Sequence, residues 1–163
     1  MRDYGTPVFH YCQQHLRDPD LAEDVHQQVF VQAWTDLPRY SRRSSLKTWL
    51  FGIAHHRCQD AAKIRRRFFA RFTAQVDELP EVEDPAPVAE DQLVMAAERN
   101  DLARCLEALA PAARVAVGLR YTEGFTFEQM AAICREKPGT LQARVARALP
   151  AVKKCLERRG LAR

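Results

Sequence analysis

Apolar residues recur every three or four positions along much of the chain, which is the spacing of one buried helix face. The first long stretch runs from Leu21 to Trp34, with apolar residues at positions 21, 22, 25, 29, 30, 33 and 34. Asp18 or Asp20 can cap this helix, and Pro19 suits its first turn. The other side carries acidic and amide residues: Glu23, Asp24, Gln27, Gln28 and Gln32. The pattern predicts a helix with one buried face and one face open to solvent or to a partner. A shorter helix is predicted before it, starting near residue 7.

A second helical stretch, residues 44–67, combines an apolar stripe with basic residues outside it. The stripe consists of Leu46, Leu50, Ile53, Ala54, Cys58, Ala61 and Ile64. Between Arg39 and Arg71 there are ten Lys or Arg residues and one acid, Asp60. Such a charge balance favours a polyanion, and nucleic acid is the usual one. Tyr40 and Trp49 lie among the charges, and flat rings of this kind stack on unpaired bases. A solvated basic face is the alternative.

The charge then reverses. From Phe72 to Asp101 there are nine acids and one base, and three prolines interrupt any helix between residues 80 and 87. This composition predicts an extended tether over about residues 73–89, followed by a short helix from about Glu90. An acidic linker over residues 73–98 therefore separates a unit at 1–72 from a unit at 99–163.

The second unit has the pattern of a helix-turn-helix. Thr126 and Gln129 form a capping box that starts a short helix, and Pro138 opens the last helix. The inward face of that last helix is apolar: Leu141, Val145, Ala148, Val152 and Leu156. Two helices joined by a short turn, the second outwardly basic, are typical of duplex DNA recognition. Pro150 removes a backbone donor, so a bend or an early end is expected near Leu149.

The overall expectation is an all-α chain of two small helical domains. The 163 residues are 47% apolar and 28% charged, as in ordinary globular proteins. No apolar run is long enough to span a membrane and no signal-peptide pattern is present, which predicts a cytoplasmic protein. Five scattered cysteines with no C-x-x-C pair predict buried reduced thiols, neither disulfides nor zinc ligands. His26, His55, His56 and Cys58 are weak metal candidates, and no metal or other cofactor is expected. No phosphate loop or nucleophile motif is found, so an enzyme is not expected.

The first unit resembles region two of the extracytoplasmic-function (ECF) RNA polymerase sigma factors, in the sigma-70 family. The resemblance is carried by Leu21-Ala-Glu-Asp-Val25, Gln28-Val-Phe30, Ala33-Trp34, Trp49-Leu-Phe-Gly-Ile-Ala54, Asp60 and Arg65-Arg-Arg67. It implies that the first long helix binds the clamp helices of core polymerase through Asp24, Gln27, Gln28, Val31 and Gln32. It also implies that the next segment binds and opens the minus-ten promoter element. The residues implied there are Arg42, Arg43, Ser44, Lys47, Trp49, His56, Arg57, Lys63, Arg66 and Arg67. His56 stands where the family commonly has asparagine.

The second unit resembles region four of the same factors, which is a helix-turn-helix. The resemblance rests on Leu106-Glu-Ala-Leu-Ala-Pro111, Phe125-Thr-Phe-Glu-Gln-Met-Ala131 and Gly139-Thr-Leu-Gln-Ala-Arg-Val-Ala-Arg-Ala148. It implies contact with the polymerase flap and recognition of the minus-thirty-five element. The residues implied there are Thr140, Gln142, Ala143, Arg144 and Arg147. Alanine at 143 and 146 replaces larger or polar residues often found on the reading face, so fewer base contacts are expected.

The function expected from both regions is that of a sigma factor, which binds core RNA polymerase and directs promoter recognition and DNA opening. The resemblance further implies an anti-sigma factor as a partner, often a membrane-bound one, and no small-molecule substrate. The alternative is a free-standing helix-turn-helix regulator whose N-terminal helices serve dimerisation or effector binding. The aromatic and basic stretch from Tyr40 to Arg67 favours the sigma factor, because a repressor needs no surface that holds an opened strand.

Overall fold

A computed structural model describes the backbone of residues 2–72 and 90–160 and the side chains of residues 3–71 and 99–160. Within these ranges every regular element is helical, which confirms the predicted all-α class. The α-helices are α1 (Gly5–Leu16), α2 (Pro19–Asp36), α3 (Leu46–Phe72), α4 (Glu90–Glu107), α5 (Pro111–Val117), α6 (Phe127–Cys134) and α7 (Pro138–Arg158). A 3₁₀ turn, Leu37–Arg39, follows α2, and a π-helical turn, Gly118–Thr122, extends α5. The predicted tether at 73–89 lies outside the described residues.

Local capping signals in the sequence predicted two helix starts. The Asp18 carboxylate accepts a hydrogen bond from the Leu21 amide at 3.0 Å, and Pro19 occupies the first turn of α2. Thr126 and Gln129 form the reciprocal capping box of α6. These interactions link neighbours in the chain, so they need no tertiary information. The start of α1 at Gly5 is slightly earlier than predicted.

Helices α1 to α3 form the first unit, and α4 to α7 form the second. The core of the first unit is built from fully buried residues of all three helices, among them Val8, Cys12, Val25, Val29, Leu50, Ala54 and Cys58. The core of the second unit includes Leu119, Met130, Ile133, Leu141 and Val145. In α7 the predicted inward face is confirmed at Leu141, Val145, Ala148 and Val152.

The two units pack directly on each other along a surface that we call the seam. Helix α3 lies against α6, and α1 lies against α5. At one end of the seam the buried rings of Phe51 and Phe125 meet edge to face, with centroids 5.0 Å apart. The apolar core is therefore continuous between the two units, although the sequence predicted two separate domains with a linker and gave no indication of this contact.

Some residues predicted to be buried are exposed. Trp34 is 73% exposed and Ile64 is 67% exposed, although both continue an apolar helical stripe. Trp34 follows the fully buried Ala33 at the edge of the packed face of α2, and Ile64 lines the open cleft between α2 and α3.

Of the two outcomes expected at Pro150, a bend or an early end near Leu149, the early end does not occur. The helix continues to Arg158, so the carbonyl of Ala146 has no amide partner at position 150. Ala146 and Pro150 are exposed, and solvent is available to that carbonyl. Beyond the proline, Val152 is buried and holds the last turns against the unit.

The expectation that all cysteines are reduced thiols is wrong for two of them. Cys105 of α4 and Cys155 of α7 form a disulfide that joins residues 50 positions apart. The other three, Cys12, Cys58 and Cys134, are free and buried, as predicted. Burial raises the pKa of Cys134 to about 12, so its thiol is protonated at neutral pH and unreactive.

A search of the described residues for a helix long and apolar enough to cross a membrane finds none.

Candidate protein and nucleic-acid interfaces

The outer face of α2 presents most of the residues predicted to bind core polymerase. Asp24, Gln27, Gln28 and Val31 are exposed there and recur at helical spacing on the side away from the core. Gln32 is different, because its side chain is half-buried between other polar groups. It donates to the Asp36 carboxylate at 3.2 Å and accepts from Arg57 Nε at 2.7 Å. The structure therefore brings four of the five together on one open surface.

An exposed apolar patch continues this face toward the C-terminal end of α2. Val31 is 68% exposed, Trp34 is 73% exposed and Leu37 is 38% exposed. A large aromatic residue flanked by aliphatic ones on an open surface is typical of a protein-binding hot spot. Trp34 and Leu37 were not predicted as site residues, since the helical periodicity assigned Trp34 to the core.

A cleft of about 570 Å³ lies between α2 and the C-terminal part of α3. Its floor is apolar, with Leu21, Val25 and Ala61, and its rim carries charges of both signs. One rim contact holds the two helices together: Arg65 Nη1 lies 3.3 Å from the Asp18 carboxylate. Asp24 and Gln28 line the same cleft, so the predicted polymerase-binding face continues into it.

The loop before α3 and the first turn of that helix hold the aromatic part of the predicted minus-ten site. The rings of Tyr40 and Trp49 pack against each other, tilted by 38°, with centroids 5.1 Å apart. The Tyr40 hydroxyl donates to the Ser44 carbonyl, which closes the loop, and Ser45 Oγ accepts from the Thr48 amide at 3.1 Å to cap the helix. Arg42 and Arg43 remain exposed at the tip of this loop.

The exposed basic residues of α3 follow one side of the helix. Positions 49, 56 and 63 are seven residues apart and therefore lie nearly in line, with Arg66 and Arg67 at the end. His56 Nδ1 is 3.5 Å from the Asp60 carboxylate, and Lys63 Nζ is 3.9 Å from it. These contacts are between exposed groups, so they are weak and leave the side chains available to a stronger anion.

Two predicted DNA-binding residues of the first unit have protein partners instead of an open position. Lys47 Nζ donates to the Glu123 carbonyl at 2.7 Å, lies 3.4 Å from the Glu123 carboxylate, and sits 4.8 Å from the centroid of Phe125. Both partners belong to the second unit, so Lys47 is held across the seam. Arg57 binds Gln32 of α2, as described above.

The second unit places a helix-turn-helix at α6 and α7. The chain turns between them at Arg135, which adopts a left-handed conformation with φ of 55°, and α7 then starts at Pro138. Four of the residues predicted to contact the minus-thirty-five element, Thr140, Gln142, Ala143 and Arg147, are exposed on the N-terminal half of α7. They form one surface of the kind that enters a major groove.

Arg144, the fifth residue predicted there, is turned toward the protein. Its guanidinium makes two hydrogen bonds to the Glu136 carboxylate, at 2.9 and 2.6 Å. This pairing raises the pKa of Arg144 and lowers the pKa of Glu136, so both remain charged. Arg144 thus stabilises the turn between α6 and α7, and it does not share the outward surface of its neighbours.

No group of three or more His, Cys, Asp or Glu side chains that could hold a metal ion comes together in residues 3–71 and 99–160. The metal candidates from sequence have other neighbours. His26 lies 3.0 Å from the Gly5 carbonyl, and His55 contacts Tyr11 and Gln59.

Comparison with protein families finds two matches, in the order expected from the motifs. Residues 1–68 match the family model for Sigma-70 region 2, and residues 99–151 match the model for Sigma-70, region 4. The ECF RNA polymerase sigma factor SigK of Mycolicibacterium vanbaalenii is 29% identical over 142 residues, which cover 86% of this chain and 71% of that protein. The ECF sigma factor SigK of Mycobacterium tuberculosis is 26% identical over 147 residues, covering 87% and 75%.

Two solved structures resemble the whole chain. The sigma factor RpoE of Bartonella quintana, in a complex with the anti-sigma factor NepR, matches with a TM-score of 0.77 and 25% identity, over 94% of this chain and 91% of that one. CnrH, in a complex with the cytosolic domain of CnrY, matches with a TM-score of 0.63 and 20% identity, over 96% and 84%, and so shows the shared fold.

Proposed function

The chain belongs to the ECF group of RNA polymerase sigma factors in the sigma-70 family, and we propose which of its surfaces bind core polymerase and which bind promoter DNA. A sigma factor binds core RNA polymerase and directs it to promoter DNA for initiation. The observation that carries this function is that both regions occur in one chain, in the family's order. The comparisons give no support to a free-standing regulator.

The polymerase-binding surface that we propose is the outer face of α2. Asp24, Gln27 and Gln28 supply exposed polar contacts, and Val31 and Trp34 supply the apolar area that gives a protein interface most of its affinity. Gln32 contributes indirectly, since it holds Arg57 beside this face. The partner is the clamp of core polymerase, and the flap is the partner of the second unit.

The minus-ten surface is proposed to be the loop at 40–45 together with the exposed side of α3. Phosphates would be neutralised by the basic residues of this surface, Arg42, Arg43, Lys63, Arg66 and Arg67. The packed rings of Tyr40 and Trp49 offer a platform for an unstacked base. Ser44 positions the loop, and His56 takes the place where the family commonly has an amide. Lys47 joins this surface only when it leaves Glu123.

The minus-thirty-five surface is proposed to be the N-terminal half of α7. Arginine can bind guanine and glutamine can bind adenine through paired hydrogen bonds in the major groove, which suits Arg147 and Gln142. Thr140 lies at the start of the helix, where phosphate contacts are usual, and Ala143 allows close approach to the groove wall. Arg144 supports the motif through Glu136.

We also propose that the protein acts in the cytoplasm as a binding protein without catalysis and that an anti-sigma factor controls it. RpoE of Bartonella quintana was solved with its anti-sigma factor, and 94% of this chain aligns with it. An anti-sigma factor anchored in a membrane would hold this chain at that membrane.

The experiment that separates the two functions is promoter binding with and without core polymerase. A sigma factor should bind promoter DNA strongly only in the presence of core, whereas a regulator should bind its operator alone. Tight sequence-specific binding by the isolated chain, unchanged when core polymerase is added, would contradict the proposed function.

A further inference from the structure

The centre of the seam is polar, unlike its Phe51–Phe125 end. The Tyr11 hydroxyl and His55 Nδ1 are hydrogen-bonded at 2.7 Å, and His55 Nε2 lies 2.9 Å from the Gln59 amide nitrogen. The ring of His15 stands edge to face with that of His55, with centroids 5.7 Å apart. His15 Nδ1 is buried and has no hydrogen-bond partner in the described structure. Two histidines thus sit together where the units meet.

The second unit places cations and one carboxylate opposite these histidines. Arg114 of α5 is only 5% exposed, its Nε lacks a hydrogen-bond partner in the described structure, and its charge acts on His15. Glu136 and Arg144, which are paired with each other, both act on His55 from the other side. Glu136 is the carboxylate that acts on these histidines, and it already neutralises an arginine; Glu107 of α4 acts on Arg114 instead.

The remaining charged neighbours lie in the first unit. His56 follows His55 directly in α3, and a positive charge on it disfavours a second one on His55. Arg17 adds positive charge near Arg114. Burial is the largest effect on both histidines and lowers the pKa of His15 and of His55 to about 4. Both are therefore neutral in the closed arrangement at neutral pH.

We propose that the seam is an acid-sensitive clasp: protonation of His15 and His55 separates the two units, frees Lys47 from Glu123 and uncovers the side of α7 that carries Arg144. The carboxylate that acts on the histidines, Glu136, is already paired with Arg144, and a buried guanidinium already stands beside His15. Buried polar atoms without partners each cost about 1–3 kcal/mol, which the open state recovers by hydration. The seam is thus closed by apolar contact at one end and is weak at its polar centre.

The consequence for transcription rests on the proposed function. Elements at minus ten and minus thirty-five are separated by about 25 base pairs, or roughly 85 Å of duplex at about 3.4 Å per step. A closed chain of 163 residues, with a radius of gyration of about 15 Å, is only about 40 Å across. Two units in contact along the seam cannot reach both elements at once, so the closed arrangement must open before the chain engages a promoter.

The sign and size of the pH effect follow from the two states. Histidines exposed on opening return to a pKa near 6.5. Above that pH both states are neutral and the clasp has its full stability; below it, only the open state takes up protons until the pH approaches 4. At pH 5.5 the ratio of open to closed molecules should exceed that at pH 7.5 by about tenfold for each histidine, or about a hundredfold for both.

Small-angle X-ray scattering of the full chain between pH 7.5 and 5.5, with far-UV circular dichroism on the same samples, tests the clasp. A closed chain of this length should have a radius of gyration of about 15 Å. Wild type should expand by several ångströms at pH 5.5 with its helix content intact. His15→Gln, at a position whose buried Nδ1 has no hydrogen-bond partner in the described structure, should need a more acidic pH to expand. A double variant that adds His55→Gln should stay compact.

His10→Gln is the matched control, because His10 is exposed on α1, the helix that carries His15. It should expand as wild type does. A wild type that stays compact at pH 5.5, an expansion that persists in both His15 variants, or an expansion accompanied by loss of helix would each overturn the clasp. None of these readouts involves polymerase or DNA, so failure here would leave the proposed function untouched, and failure of promoter binding would leave the clasp untouched.

Discussion

Removing the Trp34 side chain tests whether the exposed face of α2 binds core polymerase. Trp34 is 73% exposed in the free chain, so Trp34→Ala removes little internal packing. We expect the free energy of unfolding to change by no more than about 0.5 kcal/mol, as for most surface substitutions. Any large loss of core binding would then reflect the interface and not the fold.

The size of that loss follows from the exposed area. A tryptophan buries about 150–250 Å² in an interface, and roughly three quarters of that is open here, or about 110–180 Å². At about 25 cal/mol per Å² this corresponds to an upper value of about 3–4.5 kcal/mol. Hot-spot residues typically cost about 2–4 kcal/mol on truncation, which weakens affinity roughly 30- to 1,000-fold.

The assay is competition: unlabelled variant displaces labelled wild-type chain from core polymerase. Gln28→Ala should show a smaller loss, of about tenfold or less, because it removes only exposed polar contacts. Leu102→Ala is the control, since Leu102 is an exposed apolar residue of α4, outside the proposed surface. If Trp34→Ala competes as well as wild type and is equally stable, the assignment of α2 is wrong.

Three further predictions concern the second unit. Arg147→Ala should lower transcription from promoters with a minus-thirty-five element by about tenfold and leave promoters without that element unaffected. The control variant, Arg158→Ala, should affect neither promoter type. An equal fall on both promoter types would contradict a base-reading role for Arg147. Cys105→Ser should lower the free energy of unfolding of the oxidised chain by about 4 kcal/mol in urea titrations, because the Cys105–Cys155 bond closes a loop of 50 residues. An unchanged midpoint of urea unfolding would show that this disulfide does not stabilise the chain. Thr126→Ala should cost about 1 kcal/mol of stability through loss of the α6 cap, and a melting temperature equal to wild type would show the cap to be dispensable.

Features set by near neighbours in the chain were predictable from sequence. The Asp18 cap, the Thr126 capping box and the inward face of α7 each depend on residues within a few turns of helix, so pattern and chemistry suffice. The same holds for the exposed residues on α2 and α7, since the side of a helix opposite its apolar stripe faces outward.

Features that depend on which helices meet were not predictable. Trp34 and Ile64 continue an apolar stripe, but periodicity does not show where the neighbouring helix ends. The Cys105–Cys155 bond pairs residues far apart, and spacing alone does not identify such a pair. An early end of α7 at Pro150 was one of two expected outcomes, but Val152 is buried beyond it and the helix continues.

Packing along the seam also determines which candidate site residues are free, and this could not be predicted from sequence. Lys47 was predicted to bind minus-ten DNA, yet it contacts Glu123 because two units that the sequence presented as separate pack together. Arg144 has the spacing of a base-reading residue, and only the fold shows that Glu136 turns it inward. Charge patterns thus predicted which faces are basic, but they did not show which side chains already have protein partners.

Mapping transcription starts shows whether this chain directs core RNA polymerase to promoters. Purified core polymerase would transcribe genomic fragments, including the region upstream of the gene for this chain, with and without the protein. The account predicts new start sites that require the protein and that share upstream elements near minus ten and minus thirty-five. An identical set of starts with and without the protein, from a core enzyme that responds to another sigma factor on the same templates, would contradict it.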